Sequence, residues 1–140
     1  MIRENETKKE YLDKFRENRD AVKRIEEQIK EFEAFETSPK INSMDVKTHG
    51  SSVAKDLSAY IVKKNELVEK MIQARYRRLS IYSEIFQAIE EVPDERERKV
   101  LTLRYIKCLK WEEIAVEMHV EWAQVHRIHA QALEHFKIPT

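Results

Sequence analysis

Gly50 is the only glycine in 140 residues, and that scarcity constrains the fold more than any other feature. Glycine supplies the left-handed backbone of tight hairpins and the close approach of phosphate-cradling loops. A β-rich fold, a P-loop and a dinucleotide-binding fold are therefore all disfavoured. Charged residues make up 37% of the chain and hydrophobic ones 41%, against ~25% charged in an average domain. Such a balance describes long amphipathic helices, so the expected fold class is all-α, with room for one modest core or two small ones. A single cysteine, Cys108, cannot close an internal disulfide, which points to a reducing compartment. No apolar run approaches the ~20 residues needed to span a bilayer, and Met1–Glu10 lacks the apolar stretch of a secretion signal. A soluble, cytoplasmic protein without membrane contact is expected.

Thr7 with Glu10 three residues later reads as a capping box and predicts a helix from near Lys8. Tyr11, Phe15, Asn18, Val22, Ile25, Ile29 and Phe32 then follow at heptad spacing, with Asn18 the one polar interruption. Residues 1–36 carry 9 Lys/Arg and 11 Asp/Glu, mostly interspersed, as a solvated helix with one apolar seam would. Thr37-Ser38-Pro39 ends the pattern. A loop is expected over residues 37–52, with Ser51 or Ser52 capping the next helix. From Leu57 the same count gives Ile61, Val68, Met71, Tyr82, Ile85 and Ile89, widened on one side by Tyr60, Leu67, Ala74 and Ile81. Residues 1–92 are thus expected to form a long, coiled-coil-like helical hairpin. Its apolar stripe exceeds what one partner helix needs, which suggests an oligomerisation or interaction domain and a homodimer.

Residues 53–80 hold 7 basic groups, among them Lys63, Lys64, Arg75, Arg77 and Arg78, against 3 acidic ones. Lys64, Arg75 and Arg78 fall on or beside the apolar seam. Either their long stems pack while the heads reach water, or they form a surface for phosphate or for an acidic partner. Lys110 joins them as a candidate of the same kind.

Val92-Pro93-Asp94 marks a second boundary, with Asp94 and Glu97 as a capping pair. Beyond it, 93–140 divides into three short helices: Asp94–Ile106, Trp111–Met118 and Glu121–Phe136. A two-turn helix, a three-residue turn closing on Val120 and a second helix make the helix-turn-helix pattern. Ala115 must be small where the two helices cross, and Ile114, Val120, Val125 and Ile128 close a miniature core.

The strings Asp94-Glu95-Arg96-Glu97-Arg98-Lys99-Val100-Leu101-Thr102-Leu103-Arg104-Tyr105, Trp111-Glu112-Glu113-Ile114-Ala115 and Val125-His126-Arg127-Ile128-His129-Ala130-Gln131-Ala132-Leu133-Glu134 strongly resemble the fourth conserved region of sigma-70-type sigma factors. The resemblance covers roughly residues 90–136. An N-terminal hairpin joined to such a module at this length is similar to small phage-encoded proteins, among them ArpU-type regulators of late phage genes. The resemblance implies a three-helix DNA-binding domain whose recognition helix is Glu121–Phe136. It presents Gln124, Arg127 and Gln131, flanked by His126 and Ala130, to the major groove of promoter DNA, with RNA polymerase as a further partner.

Three positions depart from the family pattern. His119 stands where a glycine usually takes the turn, Glu121 where Ser or Thr usually caps the helix, and Trp122 where a polar or basic residue is common. Residues 94–140 also balance 8 Lys/Arg with 8 Asp/Glu, although phosphate neutralisation dominates affinity for DNA. Glu121 and Trp122 therefore keep open a second reading: a protein-interaction module on the same fold, engaging RNA polymerase or another host protein without reading DNA. His126 and His129, with His119 and His135 nearby, lack the further ligands that a metal would need. Nothing around Cys108 marks a base for a catalytic thiol. Neither metal, cofactor nor enzymatic activity is expected.

Overall fold

A computed structural model describes residues 2–36 and 50–140, with side chains placed over 3–34 and 55–140. Among the described residues five α-helices follow one another: α1 (Ile2–Glu36), α2 (Gly50–Glu90), α3 (Glu95–Leu101), α4 (Trp111–Met118) and α5 (Trp122–His135). No strand occurs among the described residues. The all-α class expected from glycine scarcity is therefore observed. Packing groups the chain into two compact units, Met1–Arg19 with Arg77–Thr140, and Asp20–Tyr76. Most of the loop expected over 37–52 lies outside the described residues.

Two helix starts differ from the sequence reading. Helix α1 already runs at Ile2, so Thr7 is interior and no capping box forms there. Its hydroxyl instead donates to the Arg3 carbonyl one turn back, at 2.9 Å, the usual local outlet for a threonine inside a helix. Helix α2 already runs at Gly50, which places Ser51 and Ser52 inside it rather than at its cap.

In the unit Asp20–Tyr76, Val22, Ile29 and Leu67 are buried. The Tyr60 hydroxyl donates to the Phe32 carbonyl at 2.7 Å, and Arg75 pairs with Glu26 at 2.6 Å. Pairing 32 with 60 and 26 with 75 makes the two helical stretches antiparallel. The seam of α2 runs through Tyr60, Lys64, Leu67, Met71 and Ala74, whereas Ile61 is exposed. The count from Leu57 shares positions 64, 71, 78 and 85 with this register but takes 61, 68, 75 and 82 as the alternate members. That choice would turn Arg75 into the seam, while the observed one half-buries Ala74 in its place and leaves Arg75 exposed, and desolvating a guanidinium is far costlier.

The other unit has a core of Tyr11, Leu12 and Phe15 from α1, Ile85, Ala88 and Ile89 from α2, Val92, Leu101 and Tyr105, and Ala132, Leu133 and Phe136. The first turns of α1 are thus built into the same core as α3 and α5. Arg98 holds the corner after α2 by donating to the carbonyls of Val92 (2.6 Å) and Pro93 (2.9 Å). Asp94 caps α3 by accepting from the Glu97 N–H at 3.0 Å. Glu97 does not complete the capping box; its carboxylate is buried and bonded to the imidazole of His135.

Helix α3 continues into a widened π turn, Thr102–Ile106. Leu101 and Tyr105 serve the large core, while Leu103 faces a second cluster with Ile114 and Val125. The wider turn lets one short helix feed both. It closes through Lys107 N–H to Thr102 and Leu109 N–H to Leu103, each 3.0 Å, with Cys108 left-handed at φ 57°.

Candidate nucleic-acid interface

Helix α4 starts where the Glu113 carboxylate accepts the Lys110 backbone N–H at 3.2 Å. It stops at His119, which is left-handed with φ 57° and ψ 42°. A non-glycine residue there costs of order 1 kcal/mol, and the turn holds it through Val120 N–H to the Ala115 carbonyl, 3.1 Å. Val120 then packs, with Trp111 and Ala115, against the cluster of Leu103, Ile114 and Val125. This is the miniature core expected from the spacing, completed by Leu103 of the preceding segment; Ile128 is buried as well.

Helix α5 divides cleanly by face. Val125, Ile128, His129, Ala132 and Leu133 are buried, and Arg127, Ala130 and Gln131 are exposed, with Gln124 half-buried. Arg127 and Gln124 are joined at 3.3 Å. His126 lies half-buried between two indoles, with ring centroids 4.1 Å from Trp122 and 4.6 Å from Trp111. The Arg104 guanidinium covers Trp111, 4.4 Å from its centroid. Arg104, Trp111, His126 and Trp122 thereby form a continuous column ending at the surface. Beneath it, burial lowers the pKa of His129 to about 4, with Lys9, His126 and Arg104 adding repulsion. Nε2 of His129 and the Tyr105 hydroxyl share a hydrogen bond of 2.7 Å, and burial raises the pKa of that hydroxyl.

In front of α4 and α5 lies an open groove of about 1040 Å³. Val116, Trp122 and Ala123 give it an apolar wall, and Arg96, His119, Glu121, Gln124 and Arg127 line the rest. Gln124 and Arg127 meet here with the alternative contacts Glu121 and Trp122, while Gln131 lies one turn beyond Arg127 on the exposed face. Lys110 is exposed at the start of α4. Of the basic residues on α2, Lys63, Lys64 and Arg75 belong to the unit Asp20–Tyr76, and Arg77 and Arg78 to the other. Lys63 lies 3.8 Å from Glu66, Arg75 pairs with Glu26, and Arg78 covers the Phe15 ring at 5.4 Å.

Arg96 and Lys8 lie outside the site residues read from the sequence. Arg96 of α3 reaches the groove, and no spacing in the sequence signals it. Lys8 is buried, and its ammonium donates to the carbonyls of Leu133 (2.7 Å) and Glu134 (3.3 Å), satisfying orphan acceptors at the end of α5. Its place one heptad step before Tyr11 and Phe15 was the available signal.

The crossing of α4 and α5, the left-handed turn and the exposed face of α5 define a helix-turn-helix. Residues 82–136, under half of the chain, match the family model of Sigma-70, region 4, so this part is a sigma region 4-like helix-turn-helix. No curated protein and no solved structure matches the chain. Among the described residues, no group of three His, Cys, Asp or Glu side chains is placed to hold a metal ion, and no helix is long and apolar enough to cross a membrane.

Proposed function

We propose that this protein is a phage-type transcription regulator, similar to the ArpU-type regulators of late genes, that binds promoter DNA through α4 and α5. The observation that carries the reading is the region 4 match over 82–136, which supports DNA binding and a role in transcription. Gln124, Arg127 and Gln131 are the base-reading residues, because arginine pairs bidentately with guanine and glutamine with adenine. His126 supports them from between the two indoles. Lys110, Lys63, Lys64, Arg75, Arg77 and Arg78 serve phosphates or a partner such as RNA polymerase. A homodimer brings two weak, formally neutral readers onto two half-sites. Exposed Ile61, Val62, Ile72 and Tyr76 in one unit, and Leu79 and Phe86 in the other, support an apolar contact between copies.

A second reading, a protein-interaction module that does not read DNA, is favoured by the exposure of Val116 and Trp122 on the groove. Titration of random-sequence and promoter duplexes at two salt concentrations separates the readings. The DNA reader binds with a negative salt slope, and Arg127→Ala removes roughly 1–3 kcal/mol of sequence discrimination. Absence of binding to any duplex at low salt, with capture of RNA polymerase that Trp122→Ala abolishes, establishes the second reading instead.

A further inference from the structure

The groove before α5 carries apolar surface that hydrogen bonds to phosphates and base edges leave unused. Val116 is 75% exposed and Trp122 54%, and Ala123 lies beside them on the same wall. Trp122 is braced by the column of His126, Trp111 and Arg104, so little of its rotamer freedom remains to be lost on binding. Arg96 and Arg127 share the groove with one carboxylate, Glu121, a balance of charge that suits a polyanion. The first residues of a recognition helix are those that reach base edges. On the major-groove edges of the base pairs, the apolar group on offer is the C5 methyl of thymine.

We propose that Trp122, with Ala123 beside it, is a specificity-determining residue that buries thymine methyl groups where α5 begins. The inference rests on the DNA-reading function above and names the base that this end of the helix selects. Gln124 and Arg127 then read neighbouring edges by hydrogen bonds, while the methyl contact fixes which step lies under the indole.

The test starts from duplexes enriched out of a random-sequence pool with the full-length protein at low salt. The best duplex is resynthesised with uracil for thymine one position at a time, which removes only the methyl group. Affinities are read by fluorescence anisotropy. Wild type loses about fourfold at one or two adjacent positions, the worth of one buried methyl. Trp122→Ala binds the thymine and uracil duplexes equally, whereas Arg127→Ala weakens both by the same factor. Thermal unfolding verifies that Trp122→Ala is folded, and Trp122→Gln is scored in its place if it is not. Equal affinity of wild type for thymine and uracil at every position overturns the inference, as does an unchanged ratio in the Trp122 variant; the DNA reading then stands, since a duplex was enriched. Enrichment of no duplex overturns both.

Discussion

The two ends of α5 are built in opposite ways. At its C-terminal end Lys8 satisfies the carbonyls of Leu133 and Glu134, Glu97 bonds His135, and Phe136 is wholly buried in the larger core. At its N-terminal end the turn runs through left-handed His119, Glu121 makes no side-chain cap, and Trp122 stands exposed. Every helix leaves orphan polar groups at both ends. Here the protein spends its own side chains on one end and leaves the other open toward the groove. The contrast separates the end that holds the helix from the end that the proposed function assigns to DNA.

The largest effect that can break this contrast is on packing. Phe136→Ala empties a fully enclosed site and is expected to cost about 3–5 kcal/mol of stability. Trp122→Ala, at a half-exposed position whose ring packs on His126, is expected to cost only about 0.5–1.5 kcal/mol. Chemical denaturation of both variants measures the difference, and equal losses would mean that the two ends are equally structural.

Acid acts between the ends, at His129. Its folded pKa of about 4 lies below the ordinary 6.5 because burial disfavours the imidazolium. The unfolded chain therefore binds a proton that the fold refuses, and stability falls as pH drops from about 6.5 toward 4. The loss is of the order of 3 kcal/mol at the acid limit. In His129→Gln, which keeps a hydrogen-bond partner for Tyr105, the thermal midpoint is expected to fall less over that range than in wild type. Parallel pH profiles for the two proteins would remove His129 as the source.

Lys8→Met tests the clamp directly. Two carbonyls at the end of α5 lose their donor, and the expected cost is about 1–3 kcal/mol. Hydrogen exchange is expected to rise in the last turn of α5 while the turn at His119 keeps its protection. Uniform loss along the helix would show that Lys8 serves the whole core rather than one end.

Much of the fold was legible because its signals are local. The bounds of α4 and α5 follow from Trp111, Ile114, Met118, Val125 and Phe136 at helical spacing, and the Asp94 cap lies where the sequence placed it. The first turns of α1 were harder. Thr7 and Glu10 carry the right letters for a cap, but a threonine inside a helix satisfies itself on the preceding turn. The seam of α2 was ambiguous because two registers share positions 64, 71, 78 and 85, and only the partner helix decides between Ala74 and Arg75. The place of Arg96 in the groove was not legible at all, and for Lys8 the heptad step before Tyr11 and Phe15 marked a seam position without naming its partner. A lysine reaching carbonyls 125 residues away is a tertiary fact that no window of sequence contains.

The smallest expected effect concerns the open end, where two terms compete at Glu121. Replacing it with serine supplies a side-chain cap, which is typically worth about 1 kcal/mol. The same change removes a carboxylate that favours the positive end of the helix dipole by about 0.3–1 kcal/mol. The cap wins narrowly, and Glu121→Ser is expected to stabilise the protein by no more than about 0.5 kcal/mol. Its effect on DNA is less balanced, because the lost carboxylate lines the groove with Arg96 and Arg127. Every duplex is then expected to bind more tightly, and the gain to shrink as salt rises, since it comes from removed repulsion against phosphates. Anisotropy titrations of wild type and Glu121→Ser at two salt concentrations give that comparison. A variant that binds DNA no better at low salt would place Glu121 away from the backbone of the duplex, and the open end of α5 would then face something other than phosphates.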